Sequence, residues 1–159
     1  MTEKFLAFCY IGILLSAACM DLKTRRIDDR FLAGILVIGL LSLRTNPGLT
    51  LAERLIGIFA VSLPMLILSV AVLGAFGGGD IKLMAVSGFL LGWRSILVAM
   101  LLGLFLGGCC ALILLLCKKV KRKDCIAFGP FLAAGLAIAY FWGDQIAAWY
   151  LSVGRIIEI

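Results

Sequence analysis

The chain contains no histidine among its 159 residues, which excludes a histidine-ligated zinc site. Its six cysteines, Cys9, Cys19, Cys109, Cys110, Cys117 and Cys125, form no C-x-x-C pair. A four-cysteine zinc site therefore lacks its ligand spacing, and no disulfide framework is implied. Four of the six lie inside apolar runs, where cysteine behaves as a small hydrophobe. Charge is also scarce, at 15% of residues. Around Gly77–Gly79, Lys82 and Leu83 neither the P-loop pattern nor G-x-G-x-x-G is completed, so a nucleotide loop is excluded. The apolar run after Lys4 ends at Asp21 and a basic cluster rather than at a small-residue cleavage site, so it reads as a retained span and not a signal peptide.

What the chain does have is apolar surface. Hydrophobic residues make up 64% and the mean hydropathy is +1.16, well beyond a soluble domain. The composition points to an all-α, polytopic membrane protein whose partner is the lipid bilayer, folded as one domain over residues 1–159. Six spans can be drawn: 4–20, 31–43, 51–73 with Pro64 inside, 80–93, 95–117 and 128–151. The expected architecture is a six-transmembrane-helix bundle, with a kink at Pro64. The net charge of +6 sits beside apolar runs, which points to membrane topology and not to nucleic acid. The odd-numbered connections hold ten Lys/Arg (Lys23, Arg25, Arg26, Arg30, Lys82, and five within 118–123), against five elsewhere. The positive-inside rule puts the odd connections in the cytoplasm. Gly88/Gly92 and Gly103/Gly107 have the spacing that lets helices approach closely, expected here to serve packing within the chain.

Two carboxylates stand out against this background. Asp21 closes the first span, and Asp80 follows Gly77-Gly78-Gly79 at the start of the fourth. A carboxylate near hydrocarbon is expensive and marks a functional site by default. Two that meet suggest an acid and a base sharing a proton. Each also has a plainer reading: Asp80 as a helix N-cap, and Asp21 as the surface ion-pair partner of Arg25 four residues on. Three glycines would let a substrate backbone come close to Asp80, and Lys82 lies two residues beyond it. Asp28 and Asp29 read as solvated residues or caps of the second helix. Gly129-Pro130 suits the start of the last helix.

Together these segments resemble one family. Gly77-Gly78-Gly79-Asp80 fits G-x-G-D and continues with Lys82-Leu83, Asp21 precedes a basic stretch ending in Ile27, and Ala127-Phe128-Gly129-Pro130-Phe131-Leu132-Ala133 is similar to the family's F-G-P-F element. The family is the type IV prepilin peptidases, membrane aspartic proteases. The resemblance implies Asp21 and Asp80 as the catalytic pair, a water as nucleophile, no metal and no cofactor. It implies that Gly77, Gly78, Gly79, Lys82, Gly129 and Pro130 meet the substrate, a prepilin or pseudopilin leader peptide. Cleavage would occur at the cytoplasmic face of a prokaryotic cytoplasmic membrane. Departures from the pattern are Ile27-Asp28-Asp29 where I-P-N is frequent, and Ala127 where proline is usual. The short form looks like the stand-alone peptidases of tight-adherence pilus systems, with no N-methyltransferase activity expected. The competing readings are a proton- or cation-coupled transporter, whose membrane carboxylates bind its ion, and an inactive assembly factor.

Overall fold

The computed structural model describes residues 2–72, 76–117 and 127–157, all of them helical or in short connections. The basic connection 118–123 and Cys125 lie outside the described residues. Five helices follow in order: α1 (Thr2–Thr24), α2 (Asp29–Thr45), α3 (Leu51–Ala71), α4 (Gly78–Leu116) and α5 (Gly129–Ile157).

Local chemistry sets the boundaries. Helix α1 ends where Arg25 turns to a φ of 53°, its amide still bonded to the Asp21 carbonyl at 2.8 Å. Asp28 caps α2 by accepting from the Arg30 amide at 3.2 Å. Thr50 and Glu53 form a reciprocal capping box on α3, with Glu53 N–H donating to Thr50 Oγ1 at 3.3 Å and Thr50 N–H to Glu53 Oε2 at 3.0 Å. The helix continues without interruption across Pro64 to Ala71.

The expected count of six membrane helices is corrected. Four helices, α1, α3, α4 and α5, are long and apolar enough to cross a membrane. Helix α2, with 17 residues, reaches only about 25 Å at 1.5 Å per residue. The fourth and fifth expected spans are the two helical arms of α4, joined at Gly92 with no loop at Arg94. Its one non-helical residue is Gly92, at φ 79° and ψ 170°, a conformation that a Cβ would strain. Gly92 folds α4 back on itself. A straight helix would hold Gly78 and Gly107 about 44 Å apart. Yet the Phe128 ring packs at a tilt against Phe76 with centroids 5.7 Å apart, and a Cβ at Gly107 would lie 2.7 Å from that same ring. Hydropathy marks the two apolar arms but does not distinguish a one-residue bend from a connecting loop.

Helix α4 is central, packing on α2, α3 and α5, while α1 closes against α2 and α5. The core comprises Tyr10, Leu14, Ile35, Leu83, Met84, Ile96, Leu132 and Leu136. Phe8, Phe59, Val70, Phe105 and Leu116 point outward, as they would toward lipid in a multi-pass membrane protein. The small-residue pairs serve contacts within the chain. Gly88 lies against the backbone of Gly57, and Gly103 against Leu132. Arg54, one of the five Lys/Arg counted outside the odd-numbered connections, is fully buried. Its guanidinium donates to Ser42 Oγ at 2.7 Å and to the carbonyls of Ser42, Asn46 and Phe89 at 3.2–3.3 Å. The C-terminal carbonyls of a helix are natural partners for a cation, and this side chain joins α2, α3 and α4 at one end of the bundle.

Candidate active site

Asp21 sits on the last turn of α1, and Asp80 on the first turn of α4. They are 6% and 7% exposed. The helix termini bring both to one cavity of about 600 Å³. Its walls come from the α1 end (Met20, Thr24), the first connection (Arg25 to Asp29), and the α4 start (Gly77, Gly78, Gly79, Lys82).

Each carboxylate is held differently. Asp21 Oδ2 accepts a hydrogen bond from the buried Gly129 amide at 3.0 Å. That amide opens α5, where free N–H groups and the helix dipole favour a negative charge. Asp21 pairs across the fold, and among the described residues it makes no ion pair with Arg25, where α1 ends. Asp80 is not the N-cap of α4: Gly77 is, without a side-chain cap bond. Asp80 lies inside the first turn, its amide bonded to the Gly77 carbonyl at 3.1 Å. Its Oδ1 is buried without a hydrogen-bond partner. An orphaned carboxylate oxygen in a folded interior is costly and is met at catalytic positions.

The glycines divide by what surrounds them. A Cβ on Gly77 would sit 3.2 Å from Asp80 Oδ2, and one on Gly79 would sit 3.0 Å from Ile27 Cβ. Gly78 has open space on that side. Of the three, Gly78 is thus the one whose backbone is free for another chain to approach, whereas Gly79 is occupied by Ile27 of the same chain. Its φ is not positive, so close packing is what requires glycine there.

Lys82 lines the cavity but pairs with Asp29, Nζ to Oδ1 at 2.9 Å, and both side chains are largely solvent-exposed. Such pairs contribute little to stability. Asp28 is a cap, with Arg30 at 3.9 Å. Gly129 and Pro130 are not part of the cavity wall: Gly129 positions Asp21, and Pro130 occupies the second position of α5. Sequence reasoning missed Ile27 as a wall residue. An apolar side chain between Arg26 and Asp28 was the available signal. The Phe76–Phe128 contact, which ties the glycine loop to the start of α5, had no local signal. Among the described residues, no group of three metal-ligating side chains gathers.

Two buried carboxylates at an open cavity can do acid–base chemistry on a bound carbonyl. Comparisons with known proteins bear on which chemistry it is. The sequence profile described as the type IV leader peptidase family matches residues 8–112, a range holding both aspartates. The chain is 29% identical to a prepilin leader peptidase/N-methyltransferase of Bacillus subtilis (strain 168), over 95% of its own length and 61% of the relative's. It is 32% identical to the protein of the same name from Legionella pneumophila, over 94% of this chain and 54% of that one. The Aeromonas hydrophila protein of that name is also 32% identical, over 88% and 50%. The chain thus spans half to three-fifths of the length of these relatives. No solved structure matches it.

Proposed function

This chain belongs to the type IV leader peptidase family, and from that premise we propose that it is a membrane aspartic endopeptidase that removes the leader of prepilin-like substrates. The observation that carries the reading is the convergence of Asp21 and Asp80, each nearly buried, on one cavity beside the open backbone of Gly78. In the proposed mechanism an extended leader lies along Gly78, with its scissile carbonyl between the carboxyls. One aspartate, ionised, takes a proton from a water whose oxygen attacks the carbonyl carbon. The other, protonated, donates a hydrogen bond to the carbonyl oxygen and then supplies the proton that the leaving amine needs as the C–N bond breaks. The Gly129 amide holds the Asp21 carboxylate in place through the cycle. The roles are those of a coupled pair and are not divided between the two residues.

The site faces the cytoplasm of a prokaryotic cytoplasmic membrane in this reading. Its support is the Lys/Arg excess on the aspartate side. The fold-back at Gly92 keeps Arg94 at the opposite end, with Arg44 and Arg54. The test is to incubate the purified chain with a synthetic prepilin leader peptide and measure product masses. Wild type should yield two fragments, while Asp21→Asn and Asp80→Asn should yield none at unchanged thermal stability. Near-normal cleavage by either variant rejects the assignment. Proton or cation uptake by a chain that cleaves nothing would favour a transporter.

A further inference from the structure

Two cavities meet at the end of the bundle away from the aspartates. The first, about 570 Å³, has a polar side made by Glu3, Lys4, Asn46, Ser95, Asp144 and Gln145. The second, about 670 Å³, is an almost wholly apolar groove between α1 and α5, walled by Phe8, Ile11, Ile138 and Trp142. Lys4, Ala7 and Phe141 line both, so a charged cup passes directly into an apolar groove.

The charges in the cup are specific in kind. Lys4 lines both the cup and the groove, and Glu3 and Asp144, both exposed, line the cup. Asp144 accepts from Ser95 Oγ at 2.8 Å, which orients its carboxylate. Among the described residues, none of the three charges is in an ion pair. The depth also fits a headgroup. Glu3 lies 18 residues from Asp21 along α1, about 27 Å, close to the thickness of a hydrocarbon core. The cup is therefore at one membrane boundary when the aspartates are at the other. The exposed Trp142 is a residue type that gathers at such a boundary.

We propose that the cup and groove bind one aminophospholipid. Lys4 receives the phosphate at the junction, Glu3 and Asp144 receive the primary ammonium, and an acyl chain lies along Phe8, Ile11 and Trp142. A phosphoglycerol headgroup would bring no cation to the two carboxylates. A choline headgroup would bring a cation without N–H donors, and so without charge-assisted hydrogen bonds. A second copy of the chain would present an apolar helix face and leave the cup unfilled.

The test is native mass spectrometry of the full chain in detergent, titrated separately with dioleoyl phosphatidylethanolamine, phosphatidylcholine and phosphatidylglycerol. The expected result is one phosphatidylethanolamine bound about five-fold more tightly than either of the others, the scale of a modest ion pair. The double variant Glu3→Gln/Asp144→Asn should lose the preference over phosphatidylcholine, and Lys4→Gln should weaken both. Asn at 144 can still accept from Ser95, so that hydrogen bond is kept. If the double variant does not fold, the decision rests on thermal unfolding of wild type: a rise with phosphatidylethanolamine and not with phosphatidylcholine is required. Equal binding of the three lipids, a preference for phosphatidylglycerol, or an unchanged preference in the folded double variant overturns the proposal. None of these readouts depends on peptidase activity.

Discussion

Adding one methyl group at Gly129 should disable the site without touching a titratable residue. A Cβ there would lie 2.5 Å from Asp21 Oδ2, 2.8 Å from Cγ and 3.0 Å from Cβ. Ordinary contact begins near 3.4 Å, so the carboxylate must retreat by about 0.9 Å or α5 must shift. Either movement stretches the 3.0 Å hydrogen bond from the Gly129 amide. Hydrogen bonds to charged groups contribute about 1.5–3 kcal/mol net, and overpacking of this kind costs about 1–3 kcal/mol of stability. Catalysis should suffer more than folding, because a misplacement of about 1 Å can lower a rate about 100-fold. The assay is single-turnover cleavage of a leader peptide by Gly129→Ala, divided by the folded fraction, with thermal unfolding in the same detergent. The control is Gly108→Ala, whose Cβ would meet nothing within 4 Å. A turnover within about two-fold of wild type in folded Gly129→Ala would refute the claim that this amide positions Asp21.

Other outcomes follow from the same structure. Gly88→Ala would drive a Cβ into the Gly57 backbone, which cannot swing aside as a side chain can. It should lower thermal stability by about 3 kcal/mol or more, while Gly12→Ala, with open space, should not. Asp28→Asn and Asp29→Asn should each retain substantial cleavage, since one caps α2 and the other makes an exposed pair with Lys82. Complete loss in either, with a normal unfolding temperature, would place a third acid in the chemistry. For topology, Gly48→Cys in a background lacking native cysteines should react with an impermeant thiol reagent in intact cells, and Lys23→Cys should react only in inverted vesicles. The reverse pattern would put the aspartates on the outer face.

Much of the site was legible along the chain because its markers are locally improbable. A carboxylate at the end of an apolar run and a triple glycine before another carboxylate stand out without knowledge of the fold. Helix starts were legible for the same reason: Asp28 caps α2, and Gly129-Pro130 opens α5. Hydropathy alone established the membrane class. It did not establish the number of helices, because an apolar window has the same mean whether its two halves meet at a loop or at one residue. Gly92 decides that, and the reason is a backbone conformation visible only once α4 is seen to return to Phe128.

The roles within the site were set by tertiary contacts. Gly129 is 108 residues from Asp21 in sequence, and no local pattern states that its amide holds that carboxylate. Ile27 packs against Gly79, and Asp29 takes Lys82. Arg54 shows the same limit. In the sequence it entered only as one charge in a topological count, yet the fold surrounds it with carbonyls of α2 and α4. Residue type and spacing determined which groups this membrane protein keeps at the edges of its apolar runs. Which of them face each other depended on how the helices pack, because a hydrogen bond is decided by a few ångströms across the bundle and not by distance along the chain.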